Sequence, residues 1–501
     1  MRLSVLAAVC AADRPQDLVT SLPGFENVSW SFKAYSGILD VPGPINGYDA
    51  LRIHYQFHTS QKSQADPVVT WHQGGPGGSS VTVGLYGEMG AFRIGEQGNY
   101  INEWAWNKVA NMLYLESPAG SGDRSGYSSC WKGGKAVDCD WNDTTQAEAY
   151  AHSLAAFFKA FPEFVANDLY LTGESYFGQY GPNIAHYIVN TAPFSKSLNL
   201  KGIALGNACW GGTSTCVACN GPSEDKIDVD LFFGKGLYSP KLHKNITKAC
   251  KFPDQYQSCG GDNPGPFCCS EPGHAALSSE CKQLLAEMDR QVGPHNVYNI
   301  YDNCGNTQDF LTRTGKTSGW LRRFLRSSIH DPASARAELT RMNGGFQWDC
   351  LGDADSWITR ADVRKALHLD QVTPGASGFS YASTGPASVT LYPELAQKLN
   401  VLIYNGDADA CVPYNGNEKW IDELEAAGNL TQTSAWSPWY NSNHATPAGY
   451  ETAYKAPNGE HSFSFMTIRL AGHMAPQYQP ESSFVMFRQF VNPAKESELV
   501  V

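Results

Sequence analysis

Three residues in separate loops carry the chemistry that this sequence suggests. The first lies in Leu169-Tyr-Leu-Thr-Gly-Glu-Ser-Tyr-Phe-Gly178. An apolar run ends, a tight turn holds one serine, and a helical pattern begins. That is the layout of a nucleophile elbow, in which Ser175 Oγ is exposed and the next N–H faces a developing oxyanion. A serine hydroxyl needs a base, and the base needs an acid to orient it. In α/β hydrolases those partners follow in the order Ser, Asp, His. Val401-Leu-Ile-Tyr-Asn-Gly-Asp-Ala-Asp409 supplies acids at the end of an apolar run, and Phe465-Met-Thr-Ile-Arg-Leu-Ala-Gly-His473 supplies a histidine at the end of another. A fourth segment, Trp71-His-Gln-Gly-Gly-Pro-Gly-Gly-Ser-Ser80, runs from a strand into a glycine-rich loop whose backbone can approach a ligand closely. No GK[ST] follows, so it is not a phosphate loop; in this arrangement it provides the second oxyanion donor.

These residues need a frame of strands and helices. Residues 35–60 alternate apolar and polar, as a half-exposed antiparallel strand does. Pro67–Trp71 and Asn111–Leu115 read as buried strands. Residues 143–161 read as a helix that Thr144 or Thr145 can cap. Strand Asp168–Thr172, helix Gln179–Thr191 and strand Leu200–Leu205 follow. The alternation argues an α/β fold with a central mixed, mostly parallel sheet. From about residue 209 to 345 the chain is rich in Cys, Gly, Pro and Asn, as a disulfide-stapled insertion would be. The pattern resumes with helix Arg360–Leu369, strand Val401–Tyr404, helix Asn417–Ala427, strand Phe463–Leu470 and helix Glu481–Val491. The expected organisation is a signal peptide over 1–12, core over 13–208, a cap over 209–345 and core again over 346–501.

Composition bounds the rest. The 501 residues, 42 % hydrophobic and 17 % charged, exclude a mostly disordered chain. By length alone about three domains would fit, as would one elaborated domain with a large insertion. The net charge is −12 and no Lys/Arg cluster stands out, which argues against nucleic-acid binding. No apolar run approaches the roughly 18 residues of a membrane span. Met1-Arg2 followed by the apolar run Leu3–Ala12 reads as a short secretory signal cut near Ala12. Fourteen cysteines fit an oxidising compartment. Cys216-Val-Ala-Cys219 has no second ligand pair at zinc spacing, so disulfides explain it better. If Cys10 leaves with the signal, thirteen remain and at least one pairs outside the chain or not at all. Sequons at Asn27, Asn142, Asn245 and Asn429 fit a glycoprotein.

Taken together, Gly173-Glu-Ser-Tyr-Phe-Gly178, Gln73-Gly-Gly-Pro-Gly-Gly-Ser-Ser80, Asn405-Gly-Asp-Ala-Asp409 and Ala471-Gly-His-Met-Ala-Pro476 resemble the serine carboxypeptidase family of the α/β-hydrolase fold. So do Trp106-Asn-Lys-Val-Ala-Asn111, Glu116-Ser-Pro-Ala-Gly120 and Leu200-Lys-Gly-Ile-Ala-Leu-Gly-Asn207. The resemblance implies Ser175 as nucleophile, His473 as base and acid, and Asp409 as its orienter, with the Gly75 and Tyr176 N–H groups as oxyanion hole. It implies that Gln73, Gly74, Glu88 and Glu174 hold the substrate's C-terminal carboxylate. Carboxyl groups so crowded cannot all ionise, so glutamate pKa values rise and the peptidase optimum is acidic. No metal or organic cofactor is implied; the partners are peptide or protein C-termini, and the protein would be a monomer or homodimer, extracellular or vacuolar/lysosomal. An acyltransferase or a protective binding protein on the same fold are the alternatives. Residue preference would be set in the cap and at positions such as Val412.

Departures from the family pattern stand out. Gln73 replaces an asparagine, and Phe177 replaces a small residue. Gly78 replaces a cysteine whose family partner matches Cys350, which leaves Cys350 unpaired or paired anew with Cys130, Cys139 or an insertion cysteine. One extra residue stands between Ser80 and Glu88.

Overall fold

The computed structural model describes residues 14–95, 98–210, 219, 224–252, 277–302, 352–441 and 446–492. The signal-peptide expectation and Cys350 lie outside them. Thirteen of the described strands build one sheet, and two further pairs stand apart from it. Its middle is six parallel strands in the order Asn111–Leu115, Val68–His72, Leu169–Glu174, Leu200–Gly206, Asn400–Gly406, Ser462–Ile468. Antiparallel pairs extend it on both sides. This is the α/β-hydrolase fold, and the sheet is mixed as expected; its parallel pairings are confined to the middle, and antiparallel ones outnumber them by seven to five.

The parallel strands are short apolar runs because both faces are covered. Val68, Leu113, Leu169 and Leu171 point into one core cluster. Val69, Trp71, Met112, Tyr114 and Tyr170 point into the other. The first cluster packs under the helices Asp143–Ala160 and Phe177–Asn190; the second packs under Pro480–Val491 and the helix Ser80–Met89.

Several expectations need correction. Residues 35–60 are not one strand but a hairpin, Ala34–Ile45 and Tyr48–His58. Asn46 and Gly47 both have positive φ (49° and 77°), the Asn-Gly pair that a two-residue hairpin turn favours. The helix at 143 is capped by Asn142, whose side chain accepts from Thr144 N and Thr145 N, while Thr145 Oγ1 accepts from Asn142 N. Thr145 thus closes a capping box rather than capping the helix itself. Three disulfides are formed among the described residues: Cys130–Cys139, Cys209–Cys219 and Cys250–Cys281. Since Cys130 and Cys139 pair with each other, neither is available to Cys350.

Within 209–345 the helices Glu224–Gly234, Pro240–Ala249 and Ser279–Val292 share a small core of Val229, Phe232, Leu242, Ile246, Leu285 and Met288. The segment ending at Asp302 docks on the central sheet's loops: Ala410 N donates to Val297 O, Ile300 N to Ala408 O, and His473 N to Tyr298 O.

Candidate active site

Every candidate catalytic, oxyanion-hole and carboxylate-binding residue lies at or just beyond the carboxyl end of a parallel strand or on the helix that follows one, the edge where open α/β sheets bind ligands. Strand Leu169–Glu174 ends directly in Ser175, whose φ of 63° is the strained left-handed turn of an elbow. Ser175 N donates to Gly206 O, and Cys209 N donates to Ser175 O, so the turn is tied to the neighbouring strand's exit. Phe177, the departure from the elbow pattern, is fully buried and packs 5.6 Å from the His72 ring. Its room comes from two glycines: a Cβ at Gly173 would stand 2.5 Å from the Phe177 ring, and one at Gly181 2.8 Å from it.

The glycine-rich loop lies on the elbow. A Cβ at Gly74 would meet Tyr176 N at 2.5 Å and Ser175 Cβ at 2.6 Å, so only glycine permits this approach. Gly75 follows at φ +120°. A Cβ at Gly78 would stand 2.9 Å from Gly74 O and 3.0 Å from Gln73 Cγ. The two family departures therefore lie side by side, with the Gln73 side chain against the position where the family carries a cysteine.

Asp409 and His473 meet. Asp409 Oδ2 is 2.7 Å from His473 Nδ1, with Asp409 fully buried and His473 4 % exposed. The carboxylate also accepts from Cys411 N (2.8 Å), Val412 N (3.1 Å) and Asn207 Nδ2 (2.8 Å). Those bonds fix its orientation. His473 Nε2 is buried with no hydrogen-bond partner among the described residues, so it is the open nitrogen of the site. No bond from it to Ser175 Oγ is formed here; catalytic hydrogen bonds commonly tighten only with substrate present. Burial works against the imidazolium, but the Asp409 carboxylate, its hydrogen bond and the Glu174 charge outweigh it and raise the His473 pKa.

Beside this pair stand two buried glutamates. Gln73 Nε2 donates to Glu174 Oε1 at 2.6 Å. The amide's orientation is set by Trp71, whose indole N–H donates to Gln73 Oε1 at 3.0 Å. An indole can only donate, so the Nε2 end must face Glu174. Glu88 and Glu174 are both completely buried. Burial pushes Glu174 up to about 7, against the lowering pull of the His473 charge and the Gln73 hydrogen bond. Burial and then the Glu174 charge hold Glu88 well above the usual carboxylate range, although Arg93 pulls the other way. The two carboxyls are coupled, so protons are shared between them. Glu88 reaches this position on Ser80–Met89, which is wound as a π-helix. That winding takes up an inserted residue without breaking the element, consistent with the extra residue in its spacing.

Thus the structure gathers Gln73, Gly74, Gly75, Glu88, Glu174, Ser175, Tyr176, Asp409 and His473 at one strand-end edge. Val412 joins them through its N–H bond to Asp409. Sequence reasoning assigned no role to Asn207, although it sits at the end of a parallel strand and its Oδ1 also accepts from Gly406 N. Trp71 was likewise passed over as core. Among the described residues no group of three His, Cys, Asp or Glu side chains could hold a metal.

A family model described as "Serine carboxypeptidase" matches residues 23–493. The chain belongs to the serine carboxypeptidase family. Relatives include serine carboxypeptidase-like 31 of Arabidopsis thaliana, 31 % identical over 95 % of this chain and 89 % of that protein. The lysosomal protective protein of Mus musculus is 29 % identical over 95 % of this chain and 94 % of its own length. Serine carboxypeptidase 1 of Hordeum vulgare is 26 % identical over 95 % and 93 %. A prohormone-processing carboxypeptidase from Saccharomyces cerevisiae has the same fold, with TM-score 0.60, 20 % identity and coverage of 95 % of this chain and 96 % of that one. Among the described residues no helix is long and apolar enough to cross a membrane.

Proposed function

We propose that this family member is a serine-type carboxypeptidase that releases C-terminal residues from peptides through an acyl-enzyme, with an acidic optimum. The observation that carries the reading is the buried Glu88–Glu174 pair, raised in pKa and met by the Gln73 amide, next to an Asp409–His473 pair at the mouth of an elbow. A protonated glutamate can donate a hydrogen bond to the terminal carboxylate of a peptide; an ionised pair would repel it. The same grip has no use in an acyl donor that lacks a free carboxylate, and this favours peptidase over acyltransferase.

In the proposed reaction His473 Nε2 takes the Ser175 proton as Oγ attacks the scissile carbonyl. The Tyr176 and Gly75 N–H groups receive the oxyanion. His473 returns the proton to the leaving amine, the free amino acid departs, and water repeats the sequence on the ester. Asp409 holds the imidazole tautomer and stabilises its cation. We further propose that residues 209–345 form a cap over this edge, that residues 1–12 are a secretory signal, and that the protein works in the secretory pathway, extracellular or vacuolar/lysosomal.

Ser175→Ala tests the assignment. Release of amino acids from an N-blocked peptide should be abolished while the folded signal by circular dichroism is unchanged; full residual release would reject Ser175 as nucleophile. Consumption of acyl-glucose esters without peptide hydrolysis by the unaltered protein would instead support acyl transfer.

A further inference from the structure

One fully buried carboxylate lies behind the elbow and has no part in the reaction above. Asp143, the first residue of the helix Asp143–Ala160, is 0 % exposed. It accepts four hydrogen bonds. Tyr176 Oη donates to Oδ1 at 3.1 Å and Tyr381 Oη to the same oxygen at 2.7 Å. Thr384 N and Gly385 N donate to Oδ2 at 2.8 and 2.7 Å. The position at a helix N-terminus suits a negative charge. Four donors are enough to fill the carboxylate's acceptor sites.

Tyr176 is the residue after the nucleophile. Its ring is buried, and its hydroxyl also lies 2.5 Å from Ser383 Oγ. Its main-chain N is the atom nearest to a Cβ built at Gly74, so ring and backbone are both confined. The segment that supplies the other donors is itself fixed, because Phe379–Ala382 pairs in parallel with Cys139–Asn142, the strand that leads into Asp143. The side chain of Tyr176 is therefore anchored at its far end to a rigid element, and its N–H direction follows from that anchor.

We infer that Asp143 is a positioning residue, which through the Tyr176 hydroxyl fixes the direction of the Tyr176 N–H toward the oxyanion formed at Ser175. The inference rests on the proposed role of Ser175, and it holds for either acyl acceptor. An oxyanion donor works only when it is aimed before the charge develops, so a loosened Tyr176 should lower the rate of attack and leave ground-state binding nearly unchanged. Asp143→Asn replaces an acceptor oxygen by an NH2 group facing donors, which breaks the cluster with no change in volume. Tyr176→Phe removes the anchor alone and keeps the N–H.

The test compares Asp143→Asn, Tyr176→Phe, their combination and Tyr381→Phe. It reads the rate of Ser175 phosphonylation by an alkyl fluorophosphonate, kcat and KM for an N-blocked dipeptide, and Tm. Phosphonylation needs the nucleophile and the oxyanion donors but no peptide grip. Asp143→Asn and Tyr176→Phe should each slow phosphonylation and kcat by about 10- to 100-fold with KM changed less than about threefold. The double variant should be no worse than the more damaged single one. Tyr381→Phe, which removes a donor to the same carboxylate but keeps the ring that packs edge-on to Tyr176 at 5.5 Å and leaves the Tyr176–Asp143 bond in place, should keep kcat within about threefold even if Tm falls. If Asp143→Asn does not fold, Tyr176→Phe against Tyr381→Phe decides alone. Tyr176→Phe at unaltered rates, or losses in all variants that merely track Tm, would overturn the proposal. A protein that phosphonylates but releases no amino acid overturns the peptidase reading and leaves these ratios measurable.

Discussion

Asn207 shows how one side chain can set a site from outside it. Its Nδ2 donates to the same Asp409 oxygen that meets His473, and its Oδ1 accepts from Gly406 N. Asn207→Ala should leave Asp409 one donor short in a fully buried place and reduce kcat by about 10-fold or more, at a cost of about 1–3 kcal/mol in stability. Steady-state kinetics with a melting curve checks both; an unaltered kcat would show that Cys411 N and Val412 N suffice. The contact between positions 73 and 78 gives a second prediction. Gly78→Ala crowds Gly74 O and Gln73 Cγ and should cost about 1–3 kcal/mol. Gln73→Ala in the same chain removes the Cγ and should recover part of it, measured as a non-additive double-mutant cycle; strict additivity would mean that the backbone contact alone carries the strain. Ser175, Asp409 and His473 were legible because their types, order and loop positions are encoded locally. The links from Trp71 to Gln73 and from Asn207 to Asp409 were not, since neither follows a spacing rule: one spans two residues along a strand, the other joins adjacent strands.

Elements were legible where at least one face is buried and illegible where neither is. The parallel strands read as apolar runs because both faces are covered. Thr431–Tyr440, exposed at nearly every position on the sheet's edge, has neither an apolar run nor alternation, so nothing in its residue pattern marks it as a strand. The Asn46-Gly47 turn was written in the sequence but masked by the continuous alternation of the two strands it joins. The π-helix Ser80–Met89 has a different lesson. It carries Glu88, and its Gly84 lies against Trp71, where a Cβ would come within 2.3 Å of the indole. Gly84→Ala should displace the indole that orients Gln73. KM for a peptide with a free C-terminus should then rise several-fold while kcat changes little; an equal fall in kcat would place the damage at the elbow instead.

At the scale of the whole molecule, charge and pH tie the site to the fold. Glu174, raised to about 7, and Glu88, raised well above the usual range, bind protons more tightly folded than unfolded. Their protonated forms cost the fold nothing below about pH 4.5, where both states are neutral. As pH rises above that value the unfolded chain ionises first, so stability falls until the folded pair ionises too. His473, also raised, adds stability below its unfolded value that is lost as pH passes its folded one. Both effects favour the acid side. Glu174→Gln should therefore raise stability by about 1–3 kcal/mol at pH 7 and scarcely at pH 4, read from denaturant midpoints. An equal gain at both pH values would deny that the carboxyl is protonated in the fold. The coupling also protects the base: once Glu174 is neutral, it no longer holds a proton on His473, so neutral imidazole persists further toward acid.

The central claim is that the glutamate pair grips a free C-terminal carboxylate while Ser175 attacks the bond before it. Its most direct test is amino-acid release from an N-blocked dipeptide, against ammonia or amino-amide release from the same dipeptide amidated at its C-terminus, from pH 4 to 8. The free acid should be cleaved best on the acid side, with kcat/KM falling as pH rises through about 7, where Glu174 ionises. The amide should be cleaved far more weakly there, and Ser175→Ala should cleave neither. Equal cleavage of acid and amide across the range, or no cleavage of the acid by a protein whose Ser175 still reacts with an organophosphate, would contradict the claim.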